Sequence, residues 1–355
     1  MKKIRIFLGG YINFINAQNL NCRALTQHLD KERFKVGAMT LYSGSLSLPN
    51  IEGLRLFHVG YPYRFTKYIA FLRGILWADV VYLPKGEICG WNKFWIKALK
   101  KKSFRTVEGI FPDYVIAEIE AHGMSYEDFL ASFRGYDRLF SITKFVKDYN
   151  EKNHGIVTDD KILYLGSDIE IFLNRHKKIE KLHHIVFIGR LKKRKGIYDV
   201  LKIAETFPNL NFSIVGNGEE EEILKLAIAK KNLRNVELLG TLTHEELASK
   251  LKNMDLHLFP SRSEGFPKVT LETAAAGVPS LVYDDYGADE WITHGKNGYV
   301  VHTLEEMIET IRRLEKNPEE LDRVSKNAVE MARRFDWKVV VKDWEKVIER
   351  LYNEK

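Results

Sequence analysis

Residues Ser261 to Pro279 read SRSEGFPKVTLETAAAGVP, a stretch with two glutamates, Glu264 and Glu272, separated by seven residues. Glu264 lies in a turn-forming run with Gly265 and Pro267, and Glu272 lies in the early turns of the short helix that follows. Pro267 suits a first helical position, where a missing N–H costs nothing. Gly277 and then Pro279 close the helix in the expected order. Leu256, Leu258 and Phe259 just before the stretch read as a buried strand. The unit is therefore a strand, a loop carrying one carboxylate and a helix carrying a second, and open α/β sheets bind ligands at that edge.

Working outward, the same alternation continues in both directions. HIVFIGR (184–190), NFSIVG (211–216), VELLG (236–240), PSLVYD (279–284) and GYVV (298–301) read as short strands with helices between them. Glu219 to Glu222 begin a helix, and their carboxylates complement its dipole while arguing against a phosphate at that end. In the first half, Ile4 to Leu8 form a buried strand ending at Gly9-Gly10, followed by a helix over Ala17–Leu29. Its motif is GGYIN rather than GxGxxG, so the dinucleotide fingerprint is absent, although the glycines allow backbone to approach a ligand closely. VGAMTLY, LRLFHVG, VVYLP, Asp137–Thr143 and Lys161–Leu165 supply further strands, Ser103–Pro112 reads as a strand and then a loop, and Glu170–His184, polar and without a clean period, reads as a linker. Strands alternating with helices imply parallel sheets covered on both faces. The reading is an α/β protein of two Rossmann-like domains, residues 1–170 and 171–335, facing across a cleft, with a last helix in 336–355.

At 355 residues the chain suits about two domains. Its best apolar run, FLRGILWADVVYL, is broken by Arg73 and Asp79 and does not span a bilayer. The opening MKKIRIFLGG lacks the long apolar region and cleavage site of a signal peptide. The two cysteines, Cys22 and Cys89, make neither a disulfide framework nor a zinc pattern, and no HExxH-like cluster occurs, so no metal site is expected. These features point to a cytoplasmic protein. A net charge of +7 fits nucleic acid, an anionic membrane surface or phosphorylated small substrates as partners. No RNA- or DNA-reading motif is present, so nucleic acid is not expected.

WNKFWIKALKKKSF (91–104) sets Trp91, Phe94, Trp95, Ile96 and Leu99 against Lys93, Lys97 and Lys100 to Lys102. On a helix this is either an interfacial face for anionic lipid at the inner side of a membrane, or a surface helix that packs its aromatics and solvates its lysines. YPYRFTKYIAFLRGILW (61–77) mixes aromatics and cations in the same way.

The polar chemistry is concentrated in the second half. Arg190 and Lys195 stand five apart after the first strand there. A guanidinium fork and a point charge together suit a diphosphate without a metal. Ionised Glu264 and Glu272 are acceptors only, which suits vicinal hydroxyls of a ribose or a pyranose.

With these residues in place, the second half resembles the retaining, family-four glycosyltransferases of the GT-B fold (glycosyl transferases group 1). The likeness rests on GRLKKRKG (189–196), IVGNG (214–218), SEGFPKVTLETAAAGVPSLVYD (263–284) and HGKNGYVV (294–301). GSDIEIF (166–172) is similar to the family's usual end of the first domain, and FDWKVVVKDW (335–344) to its closing helix, which crosses back to that domain. The resemblance implies that Arg190 and Lys195 bind the leaving nucleoside diphosphate, Glu272 the ribose and Glu264 the donor sugar. It also implies that the backbone of Gly265, Phe266, Pro267, Lys268 and Val269 approaches sugar and diphosphate at a helix N-terminus. By the same resemblance Val236 to Gly240 would border the nucleobase, Gly189 and Gly216 would belong to the same cradle, and Gly9 and Gly10 would pack near the phosphates from the first domain. Members often carry a histidine before a proline near the donor sugar; aligning VEGIFP there puts Glu108 in its place, or Glu108 is simply the end of a strand. Pro267 also stands where glycine is commoner.

The implied activity is metal-independent, cofactor-free transfer, with retention, of a hexose from a UDP- or GDP-linked donor to a glycan or lipid-linked acceptor, in polysaccharide or glycolipid synthesis. A GT-B sugar-nucleotide epimerase and a non-catalytic nucleotide-sugar binder are the rival readings.

Overall fold

Short apolar runs bounded by glycine or polar residues assemble into two parallel sheets, each of six strands. The computed structural model describes residues 2–173 and 178–354. The chain divides into a first unit, residues 1–165 joined by 337–355, and a second unit, residues 166–336.

In the first unit the strands are β1 (Ile4–Tyr11), β2 (Phe34–Leu41), β3 (Arg55–Val59), β4 (Val80–Tyr82), β5 (Lys102–Val107) and β6 (Arg138–Ser141). The helices are α1 (Ala17–His28), α2 (Tyr63–Trp77), α3 (Cys89–Ala98), α4 (Asp113–Ala121), α5 (Tyr126–Ala131) and α6 (Lys144–His154). The sheet order is β3-β2-β1-β4-β5-β6, so the direction of winding reverses between β1 and β4. The second unit repeats the plan. It has β7 (His184–Ile188), β8 (Asn211–Val215), β9 (Val236–Gly240), β10 (Leu256–Phe259), β11 (Ser280–Tyr283) and β12 (Tyr299–Val301). Its helices are α7 (Ile197–Thr206), α8 (Glu221–Lys230), α9 (His244–Leu251), α10 (Lys268–Ala275), α11 (Leu304–Lys316) and α12 (Pro318–Arg334). The order β12-β11-β10-β7-β8-β9 places the reversal between β7 and β10.

The last helix, α13 (Trp337–Asn353), belongs to the first unit. Trp344 is fully buried against Tyr82 (5.3 Å between rings) and Phe104 (6.2 Å), and its indole N–H donates to the Tyr164 carbonyl at 2.9 Å. The Glu345 carboxylate, also buried, accepts from Arg33 at 2.9 Å and from the Asp30 backbone N–H at 3.0 Å. An apolar anchor and a buried ion pair thus fix this helix on the turn between α1 and β2.

Three expectations change. Lys161–Leu165 is not a strand: Asp159 N–H to Leu139 and Leu163 N–H to Ser141 hold the segment against β6 without a ladder, and burial of Leu163 and Leu165 gives the strand-like pattern. Gly9-Gly10 does not end the first strand, because β1 continues through both to Tyr11. Glu170–His184 lies in the second unit: Glu170–Phe172 is a 3-10 turn with Phe172 buried, Leu182 is buried, and β7 starts at His184. Residues 174–177 of that expected linker lie outside the described residues. The chain instead passes between units at Leu165–Gly166 and at Asp336–Trp337.

Candidate functional site

In the second unit, β7 and β10 are paired neighbours at the reversal of winding, where a parallel sheet leaves a crevice at its carboxyl edge. The loop after β7 carries Arg190 and a 3-10 turn, Lys193–Lys195; the loop after β10 carries Glu264. Two glycines bring these loops together. Gly196 has φ +72, and a Cβ there would lie 2.0 Å from the Pro260 carbonyl oxygen. Gly216, after β8, has φ +132, and a Cβ there would lie 1.9 Å from the Gly189 carbonyl oxygen. Neither position admits an L side chain. Gly216 N–H also donates to Gly240 at 2.8 Å, so the ends of β7, β8 and β9 are tied at one edge.

Close approach at Gly196 sets Lys195 against Glu264. The Lys195 ammonium donates to Glu264 Oε1, which also accepts from the Ser261 hydroxyl. Both charged side chains are largely buried. Burial pulls Lys195 below the ordinary lysine range; the Glu264 charge opposes this, and Arg194 and Arg190 add to it. Arg190 is exposed and has no carboxylate partner among the described residues. The loop therefore offers an exposed guanidinium near an ammonium whose acidic partner among the described residues is Glu264.

Phe266 is buried between Trp291 (4.9 Å) and Phe335 (5.4 Å), which fixes the backbone of Gly265–Pro267. Pro267 is the residue before α10, not its first helical residue, and it provides no side-chain cap. The first N–H groups of a helix point out of its N-terminus, and α10 begins with Lys268 and Val269 at this edge. Trp291 Nε1 donates to Thr270 Oγ1 at 3.1 Å and locks this first turn. Glu272 is half-buried on α10 and accepts from the Ser167 hydroxyl at 3.0 Å. The structure thus joins Lys195 to Glu264 and ties Glu272 to a different segment. Ser261 and Ser167 escape sequence reasoning. Ser261 lies three residues before Glu264 and could have been found by that spacing; Ser167 carries no local signal.

In the first unit, the expected close approach at Gly9 and Gly10 is to protein. A Cβ on Gly9 would lie 2.4 Å from Leu83 Cδ2, and one on Gly10 would lie 2.7 Å from Cys22 Sγ. Both glycines are buried. Glu108 lies one residue beyond β5, and its carboxylate accepts from Asn21 (2.9 Å), Thr106 (2.8 Å) and Tyr82 (3.2 Å). A cavity of about 310 Å³ beside it is lined by Gln18, Arg105, Glu108, Phe111 and Phe133. Arg105 is buried there, stacked over Phe133 at 4.2 Å, with Nη1 donating to the Ser132 carbonyl at 2.7 Å and Nε without a partner. At the β1/β4 reversal, Tyr11 and Tyr63 both donate to Glu87, a cluster the sequence did not disclose.

Among the described residues no group of three or more His, Cys, Asp or Glu side chains is placed to hold a metal. No helix among them is long and apolar enough to cross a membrane. A larger cavity, about 1370 Å³, lies at the opposite edge of the second sheet, lined by His184, Asn211 and Asp255, away from the loops just described.

Residues 168–331 match the family described as glycosyl transferases group 1. An uncharacterized glycosyltransferase of Methanocaldococcus jannaschii is 30% identical over 220 residues, 61% of this chain and 60% of that protein. The matched region spans about 60% of the length of the first two curated relatives. Among solved structures, sucrose-phosphate synthase from Thermosynechococcus elongatus superposes with a TM-score of 0.79 at 15% identity, over 99% of both chains. Anabaena HepE in complex with UDP superposes with a TM-score of 0.77 at 15% identity, over 98% of this chain and 100% of that one. Full-length likeness at such low identity assigns the fold.

Proposed function

We propose that this chain, a member of the glycosyl transferases group 1 with the GT-B fold, moves a hexose from a nucleoside-diphosphate sugar to a glycan or lipid-linked acceptor with retention of configuration. The observation that carries the reading is the Lys195–Glu264 pair at the β7/β10 crevice, with Arg190 on the same loop close enough to weigh on the Lys195 charge. Two cations suit a diphosphate without a metal, and a buried carboxylate next to them suits sugar hydroxyls.

In this reading Arg190 and Lys195 hold the diphosphate, with the first N–H groups of α10 as further donors. Lys195 relaxes from Glu264 onto the phosphate oxygens, which frees the carboxylate for the sugar. Glu272, oriented by Ser167, takes the ribose hydroxyls. The bond from the sugar's anomeric carbon to the diphosphate oxygen breaks, and the acceptor oxygen bonds to that carbon from the same face. The acceptor's proton passes to the departing diphosphate. UDP is the favoured nucleotide, since a fold relative carries it. The acceptor side is assigned to the first unit, where Glu108 and buried Arg105 line a cavity.

A thermal-shift panel of UDP, GDP, ADP and their sugars tests the donor. A ligand at ~100 times its Kd stabilises by about 2.7 kcal/mol. UDP and a UDP-hexose are expected to raise Tm, with the gain lost in Glu272→Ala and reduced in Ser167→Ala. Absence of a shift with every nucleotide overturns the reading. An inverted product anomer, read by NMR, overturns retention.

A further inference from the structure

The helices α2 and α3 of the first unit share an exposed apolar face. α2 buries Ala70, Phe71, Gly74 and Ile75. Its opposite side leaves Phe65 71%, Ile69 58% and Leu76 50% exposed, and Phe94 on α3 is 61% exposed. The two helices are joined by ring contacts: Tyr68 meets Trp91 at 5.4 Å, Trp91 meets Trp95 at 5.7 Å, and Trp95 meets Phe94 at 5.2 Å. The surface is therefore one continuous patch rather than scattered residues, unlike the single exposed hydrophobics normal for a monomer.

Its charge is one-sided. Arg64, Arg73, Lys97 and Lys100 are exposed on these helices and their ends. The only acids between residues 61 and 102 are Asp79 and Glu87. Asp79 is taken by Arg5 at 2.6 Å, and Glu87 by Tyr11 and Tyr63. Lys93 and Lys101 are likewise spent on backbone carbonyls at 2.7 and 2.6 Å. The residue before α3, Ile88, has φ 43 and ψ 38, a left-handed conformation unfavourable for a β-branched side chain. Its side chain packs on the apolar cluster beneath α2, so core burial offsets strain in a turn that presents Trp91 and Phe94 outward.

We propose that the α2–α3 face binds the surface of an anionic lipid bilayer, with Phe65, Ile69 and Phe94 among the acyl chains and Arg64, Arg73, Lys97 and Lys100 at the headgroups. Aromatic and aliphatic side chains flanked by Lys and Arg are the composition of an interfacial helix. A second copy of the chain is a poorer occupant, because self-pairing about a two-fold axis would set the same cations against each other. Nucleic acid is poorer too, since Ile69 and Leu76 offer no ring to stack on a base. The sequence gives the stronger pattern to 91–102 and the same mixture to 61–77; in the structure the exposed apolar part lies largely on α2, because Ile96 is buried and Trp95 partly so. The proposal concerns the first unit and stands apart from the transfer reaction.

The full chain is floated with vesicles of phosphatidylcholine alone and of phosphatidylcholine with 30% (about one lipid in three,) phosphatidylglycerol. Binding at least tenfold stronger to the anionic vesicles, weakened by salt, is expected. Phe65→Ser with Phe94→Ser, and separately Lys97→Glu with Lys100→Glu, should each reduce binding tenfold or more while leaving Tm and the UDP-induced shift unchanged. No binding to anionic vesicles by folded protein overturns the proposal. Equal binding to both vesicles overturns it as well, as does a dimer in solution that either double variant dissociates.

Discussion

Lys195 and Glu264, sixty-nine residues apart in sequence, form an ion pair where the loop after β7 meets the loop after β10. The pair is more than a bridge between loops. Glu264 opposes the pull of burial on the Lys195 ammonium, and both side chains are largely withdrawn from solvent at the edge of the crevice.

Removing the ammonium should remove catalysis. Lys195→Met is expected to lower kcat by ~10²–10³, the usual loss for one donor to developing charge. Removing the carboxylate should act through pH. Burial pulls the Lys195 proton off early and Glu264 opposes it, so in Glu264→Gln the proton leaves at lower pH than in the parent. On the proposed reading, in which the ammonium holds UDP, affinity for UDP then declines at lower pH on the alkaline side. Superimposable profiles of UDP binding against pH would refute this role.

Gly216→Ala should be among the most damaging single changes. It combines φ +132 with a methyl group 1.9 Å from a backbone oxygen that cannot move without opening the end of β7. A loss on the order of 4 kcal/mol is expected from such strain and overpacking. Urea unfolding and UDP binding would both register it, whereas a neutral outcome would mean that the ends of β7 and β8 are not held as described.

His257 makes the second unit acid-sensitive. It is fully buried on β10, beside Ser280 Oγ at 2.9 Å, and burial lowers its pKa from 6.5 to about 3. The folded state holds it neutral while the unfolded state takes a proton below pH 6.5. Its contribution is therefore complete above that pH and declines as pH falls toward 3. His257→Asn should flatten this part of the curve of unfolding free energy against pH, which denaturant titrations between pH 7 and pH 4 would measure.

Trp344→Ala is expected to cost about 3–5 kcal/mol, the range for emptying a large aromatic site. The loss should appear in the first unit, as increased hydrogen exchange in β4 and β5, because Tyr82 and Phe104 lose their cover.

Much of the second unit was legible because parallel strands buried on both faces are written as apolar runs, and because Glu264, Gly265 and Pro267 punctuate the loop after β10. The same logic misread Lys161–Leu165, whose buried leucines report packing and not pairing. Glycine also announces close approach without naming its partner: at Gly9 and Gly10 the nearest side chains are Leu83 and Cys22. Glu108 was singled out by alignment alone; its three donors come from β4, β5 and α1, and no spacing encodes that meeting. The exposed stripe of α2 was hidden because its residues are as apolar as those of its buried side, and only packing separates the two.

Ser167 and Asp336, at the entry to and exit from the second unit, lie side by side in a parallel bridge, with Ser167 N–H donating to the Phe335 carbonyl at 3.0 Å. The second unit is thus a cassette whose two ends meet, inserted into a unit that is finished only by α13. During synthesis, the piece that seals the first sheet emerges after the entire cassette. A recombinant exchange of the second unit should cut at both junctions and leave α13 with its own β4 and β5; a single crossover near residue 165 would hand the first unit a foreign helix.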